Sequence, residues 1–189
     1  MIAAPAAAQN YSDGFKFLQA VDKKDSTTVT SMLNEPASTV INARDVSNGR
    51  SALHIVVERR DVTWINFLAE RGANPNIADN RGVTPLIRAT QLGFTEGVAA
   101  LVSAGARVDQ ANQAGETPLI SAVHSADMPL MRVLLEAGAD PDRADNSGRS
   151  ARDYAALTGR QSAALAEIER NDSSESERQA AADVYGPSL

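Results

Sequence analysis

The sequence predicts an all-α fold built as a linear stack of repeated helix pairs, and three observations carry the prediction. Gly49, Gly82, Gly115 and Gly148 stand 33 residues apart, and a second set, Gly72, Gly105 and Gly138, keeps the same interval. A fixed period means that one supersecondary unit is copied, each copy burying its apolar face against the next. Aromatic residues make up only 4% of the chain while Ala, Leu and Val recur, which suits closely packed helices better than aromatic-rich strands. The third observation is a hexapeptide that reappears with the glycine: Gly49-Arg50-Ser51-Ala52-Leu53-His54, Gly82-Val83-Thr84-Pro85-Leu86-Ile87 and Gly115-Glu116-Thr117-Pro118-Leu119-Ile120.

In chain order, Met1 to Asn10 read MIAAPAAAQN, and Ala6-Ala7-Ala8 before Gln9 has the small-residue character of a signal-peptide cleavage end, without the charged start and apolar middle. Phe15 to Val21 and Val29 to Leu33 then give a first helix pair, and Val40 to Asp45 lead out of it after a slightly longer loop at Asn34-Glu35-Pro36-Ala37. Each hexapeptide writes a turn, a cap and a helix start. Gly permits the positive φ of a tight turn, Ser or Thr accepts from free helix amides, and Pro suits the first helical position.

The next residues, such as Leu119-Ile120-Ser121-Ala122-Val123, are small and apolar and fit a short inner helix between neighbouring copies. A polar break starts a second helix, in which Ile65 to Leu68, Val98 to Val102 and Met131 to Leu135 place apolar side chains on one face. Gly72, Gly105 and Gly138 end that helix in a left-handed cap, and an extended hairpin-like loop leads to the next glycine turn. In the second copy the outer helix holds Gly97, where Ala is better by about 1 kcal/mol, so that helix is the expected weak point. The last unit, Ser150 to Ala155, puts charge where earlier copies have Leu-Ile, and a short helix is expected from Arg160 to Glu169. Asn171 to Glu177 begin a tail with disordered polarity.

Thr-Pro-Leu after a turn glycine, a Gly-Ala-Asp-Pro-Asp type helix exit and the 33-residue interval together resemble ankyrin repeats over residues 45–160. The resemblance implies antiparallel helix pairs with loops projecting from them. The resulting division is a leader or signal remnant at 1–12, a repeat domain at 13–170 and a disordered tail at 171–189. Within the domain, an N-terminal cap (13–45) and a C-terminal cap (145–170) flank copies at 46–78, 79–111 and 112–144.

Composition excludes several functions. The chain of 189 residues carries a net charge of -6, which gives no general attraction to nucleic acid phosphates. It has no cysteine, so disulfides, thiolate nucleophiles and Cys-ligated zinc are absent. No run approaches the roughly 18 apolar residues needed to span a bilayer.

No catalytic, cofactor or metal site is expected. His54 stands at an inner-helix start, where the resemblance implies a bond to the neighbouring loop. Glu58 with His124 is the single conceivable acid-base pair, two copies apart, and a small hydrolase built on it is disfavoured. Asp140, Asp142 and Asp145 lack the glycine and terminal glutamate of a calcium loop and read as solvated.

The resemblance implies instead that matching positions line up along a concave face. At the loop tips these include Asn48, Arg50, Asn80, Arg81, Val83, Gln113, Glu116 and Arg149, and at the inner-helix ends Glu58, Arg59, Gln91, Leu92 and His124. Arg50, Arg59, Arg81 and Arg149 face Glu58 and Glu116 there, a net positive groove on an acidic protein. Arginine anchors carboxylates bidentately, so the expected partner is a protein with an acidic patch. The expectation is a monomeric, non-enzymatic binding module of a bacterium, periplasmic or secreted, with a cytoplasmic location as the alternative. A rival is a secreted effector or regulatory subunit recognised through its tail, where Tyr185 and Leu189 are the apolar anchors.

Overall fold

The computed structural model describes residues 6–157 and 162–172, with side chains from residue 13 onward. Its helices are α1 (Ala6–Asp22), α2 (Ser26–Leu33), α3 (Ala52–Glu58), α4 (Val62–Glu70), α5 (Pro85–Gln91), α6 (Thr95–Ser103), α7 (Pro118–His124), α8 (Met128–Glu136) and α9 (Ala151–Leu157), with a short 3-10 turn at Val40–Asn42. A further helix, α10, covers residues 163–172. No strand is present among the described residues, where one antiparallel bridge joins Arg44 to Ser51. The all-α stack read from the sequence is the fold observed.

The local chemistry of the hexapeptide is the one expected. Thr84 and Thr117 accept from the backbone N–H of Ile87 and Ile120, and Pro stands at the first position of α5 and α7. Ser150 and Asp153 exchange backbone and side-chain bonds at the head of α9, so the capping logic persists where Leu-Ile has been replaced. Asp25, Asp61 and Asp127 cap α2, α4 and α8 in the same manner.

Helices α1, α3, α5, α7 and α9 pack in sequence as an inner row, and α4, α6 and α8 as an outer one. One contiguous core runs the length of the stack, from Phe17 and Val21 through Leu53, Leu86, Leu119 and Leu134 to Ala155 and Ile168. The loops between units stack too. Backbone N–H groups of Asn80, Gln113 and Asn146 donate to the carbonyls of Asn48, Arg81 and Ala114, so each loop bonds to the one before it.

This stacking explains the strict glycine. At Gly115, φ is +78°, and a Cβ there would lie 2.5 Å from the backbone nitrogen of Asn146. Gly148 shares the positive φ, but among the described residues nothing lies within 4 Å of a Cβ there. There the backbone conformation alone requires glycine.

Three differences from the sequence reading stand out. Helix α1 begins at Ala6, so part of the 1–12 leader continues the first helix, as the high helix propensity of Ala-rich sequence allows. The final helix runs over 163–172 with Ser162 Oγ accepting from Leu165 N–H, and it includes residues 171 and 172 of the tail. Asp172 is held there by Arg152 at 2.9 Å. Residues 173–189, with Tyr185 and Leu189, lie outside the described residues.

The third difference concerns Gly97. A Cβ at this position would sit 2.2 Å from Cδ1 of Phe94, whose ring is buried. In the first and third copies the matching pairs are Asp61 with Trp64 and Asp127 with Leu130: a capping acid and a large side chain. The second copy reverses this, with Phe94 at the cap position folding into the space that Gly97 leaves. Glycine is therefore a packing requirement here.

Candidate functional site

The loop tips and inner-helix ends sort into two groups once the contacts are known. Several polar residues that the sequence offered as contact residues hold the stack together. Asn80 Nδ2 donates to Ser47 O, Gln113 Nε2 to Asn80 O and Asn146 Nδ2 to Gln113 O, a ladder at the repeat interval. Arg59 donates to the carbonyls of Val21 and Asp22, and so caps the C-terminal end of α1. Its guanidinium is thereby withdrawn from the groove charge. Val83 is buried, and Leu92 packs against the core. Neither offers a large contact surface.

His54 is buried at the start of α3, where Nδ1 accepts from Ser51 N–H and Nε2 lies 3.0 Å from the carbonyl of Val83. A carbonyl only accepts and a backbone N–H only donates, so Nε2 carries the proton and the ring is neutral. Burial is the main force pushing its pKa below the ordinary value. The bond to the neighbouring loop implied by the family resemblance is present.

The second group faces outward. Arg50 and Arg88 converge on Glu58, Arg50 at 2.5 Å from Oε2 and Arg88 at 3.1 Å from Oε1. Burial, which pushes the Glu58 carboxyl up, is outweighed by the hydrogen bond from Arg50 and the charges of both arginines. Glu58 stays ionised, and two guanidiniums against one carboxylate leave the cluster positive. Arg88 escapes a reading of the sequence because it sits in the middle of an inner helix.

Beside the cluster lies a groove of about 280 Å³ lined by Phe15, Leu18, Gln19, Asp22, Asp45, Asn48, Arg50 and Ile55. Phe15 is 57% exposed on α1, and Val46, next to Asp45 on the loop tip, is 61% exposed. Large apolar side chains left in water beside a charged rim are the usual anchors of a protein interface. Periodicity assigns Phe15 to the first helix without distinguishing it from Phe17, which is fully buried.

Further along the face, Arg81 points into solvent with its nitrogen 3.7 Å from Asp79, and Gln91 is exposed. His124 packs edge-on against Tyr154 and lies 3.8 Å from Glu116. The guanidinium of Arg149 is 6.0 Å from the centre of the Tyr154 ring. Glu58 and His124 thus belong to separate clusters, and the acid-base pair is not assembled.

The acidic loop is likewise occupied. Asp142 pairs with Arg152 at 2.7 Å. Asp145 accepts from Ser147 and Tyr154 hydroxyls, which hold its carboxyl well below the usual range. Among the described residues no cluster suited to a metal ion occurs, and no helix is long and apolar enough to cross a membrane.

Comparison with known proteins agrees with this architecture. A family profile described as ankyrin repeats (3 copies) matches residues 6–112, and one described as ankyrin repeats (many copies) matches residues 119–166. A putative ankyrin repeat protein of fowlpox virus (strain NVSL), FPV031, is 40% identical over 58 residues, 31% of this chain. That stretch spans 16% of the viral protein.

Proposed function

Since the chain belongs to the ankyrin repeat family, whose repeats are in general non-catalytic protein–protein interaction modules, we propose that it binds a protein partner through the loop tips and inner helices and is not an enzyme. The carrying observation is the groove in which exposed Phe15 stands with Arg50, whose guanidinium shares Glu58 with Arg88. An apolar anchor fills that groove, while a partner carboxylate meets Arg50 or Arg88. Arg81 and Arg149 extend the positive face toward the other end, which favours an acidic partner surface.

Nucleic acid is not the partner in this proposal, given the net charge of -6. The protein acts as a monomer. We further propose that it is exported in a bacterium, on the strength of Ala6-Ala7-Ala8-Gln9. Cleavage after Ala8 leaves the core residues Phe17, Leu18 and Val21 of α1 intact. Fractionation of the source cell with N-terminal sequencing of the mature chain tests this, and an intact Met1 in a cytoplasmic fraction refutes it.

Affinity capture with crosslinking tests the binding face. It compares the wild type with Phe15→Ser and with Arg50→Glu, Arg81→Glu, Arg149→Glu combined. Loss of the same partner from both variants, each still folded by circular dichroism, is expected. Capture that survives both removes the inner face as the binding surface.

A further inference from the structure

The groove beside the Arg50, Glu58 and Arg88 cluster has a character of its own. On α1, Phe15, Leu18 and Asp22 stand at i, i+3 and i+7, so one helix stripe runs from an exposed aromatic ring to a carboxylate about 10 Å further on. Ile55 of α3 adds to the apolar part of the lining, and Asp45 of the first loop tip to the acidic part.

Both carboxylates have acceptor capacity left. The Asp22 carboxylate bonds to no described residue, and only its backbone carbonyl is engaged, by Arg59. Asp45 accepts the N–H groups of Ser47 and Asn48 and the Ser47 hydroxyl on Oδ1, which leaves Oδ2 without a hydrogen bond to any described residue. The bond from the Ser47 hydroxyl is the main force holding the Asp45 carboxyl below its ordinary range, so it stays ionised. The nearby cations are committed elsewhere. Arg50 lies 2.5 Å from Glu58, with Nη2 buried there, and Arg59 shares Asp61 with Lys24. Two carboxylates against one guanidinium that is already paired leave the groove negative, opposite in sign to the Arg81 and Arg149 end of the face.

An occupant that satisfies both parts has a long apolar stem and a positive head, which describes a lysine or arginine side chain. An acidic side chain would be repelled by Asp22 and Asp45, and a purely apolar one would strip their water without replacing it. Phe15 adds attraction for a cation held over its ring. We infer that the groove takes a basic side chain of the partner, its stem across Phe15, Leu18 and Ile55 and its charged head on Asp22 and Asp45. The inference rests on the binding reading above and gives it a direction: the partner runs from a basic residue at the first copy to acidic ones at Arg81 and Arg149.

The probe is a capped Ala-Lys-Ala peptide titrated into the isotopically labelled full chain and followed by NMR at Phe15, Leu18 and Ile55. It is compared with the same peptide carrying norleucine, which keeps the four-carbon stem without the charge, or glutamate in place of lysine. At low ionic strength lysine is expected to bind about fivefold tighter than norleucine, and the preference to vanish in Asp22→Asn with Asp45→Asn. Asparagine keeps the loop folded, since Asn112 makes the corresponding bonds to Ala114 and Glu116 N–H in the third copy. No shift with lysine, norleucine or glutamate binding as tightly as lysine, or a preference unchanged in the double variant each overturn the basic occupant. The capture experiment above keeps the two readings apart. Partner loss in Phe15→Ser with full capture by Asp22→Asn, Asp45→Asn retains the binding face and sinks the basic side chain, whereas loss in both supports it.

Discussion

Replacing Gly97 with Ala sets two effects of opposite sign against each other. Helix propensity favours Ala by about 1 kcal/mol in the interior of α6. Against it, the new Cβ would lie 2.2, 2.3 and 2.9 Å from Cδ1, Cε1 and Cγ of Phe94, whose residue is 4% exposed. The ring is buried, and overpacking of a closed core costs about 1–3 kcal/mol. Packing wins, and Gly97→Ala is expected to destabilise by about 1 kcal/mol, a fall in Tm of about 2–4 °C for a chain of this size. Thermal and urea unfolding of the single variant and of Phe94→Ala with Gly97→Ala measure the coupling directly. In the Phe94→Ala background the obstruction is gone, and the glycine replacement should stabilise by about 1 kcal/mol. Stabilisation of the same size in both backgrounds would falsify the claim that the ring excludes a side chain here.

Two other predictions concern residues whose neighbours fix their role. His54 is neutral when folded and has its pKa pushed below 6.5, so the unfolded chain takes up a proton that the folded chain refuses. This contribution is absent above pH 6.5, and stability falls as pH drops from there toward the depressed folded value; His54→Ile, the residue at the matching positions 87 and 120, should flatten that part of the Tm-against-pH curve. Arg59→Met should lower stability by about 1–2 kcal/mol through the lost hydrogen bonds to the end of α1, with partner capture unchanged. A variant as stable as wild type by chemical denaturation contradicts the capping role.

Much of the fold was legible because each copy writes its own boundaries. Thr84 and Thr117 cap the helices after them, and Ser51 and Ser150 mark the start of theirs with a partner three residues on, His54 or Asp153. The candidate site was legible in part. Arg50, Arg81 and Arg149 stand on the outward surface that the repeat register assigned them, whereas Arg59, Asn80, Gln113 and Val83 are engaged within the stack. No sequence signal separated these two groups, because a polar residue at a loop tip looks alike whether it bonds to water, to a partner or to the next loop. Arg88 and Phe15 were missed for a related reason, since periodicity marks the buried face of a helix but not which flank the next copy leaves open.

What the sequence determined by itself is whatever depends on residues near one another in the chain. The 33-residue period, the glycine turns, the caps and the apolar faces are local, and copying them fixes the stack. Tertiary structure decided what depends on the spacing between copies: that Arg88 of one copy joins Arg50 of the copy before it on Glu58, and that Asn80, Gln113 and Asn146 bond to the preceding loop. Ion pairing and side-chain packing act over a few ångströms, and residues about 33 apart in the chain come within that range only after the copies have stacked.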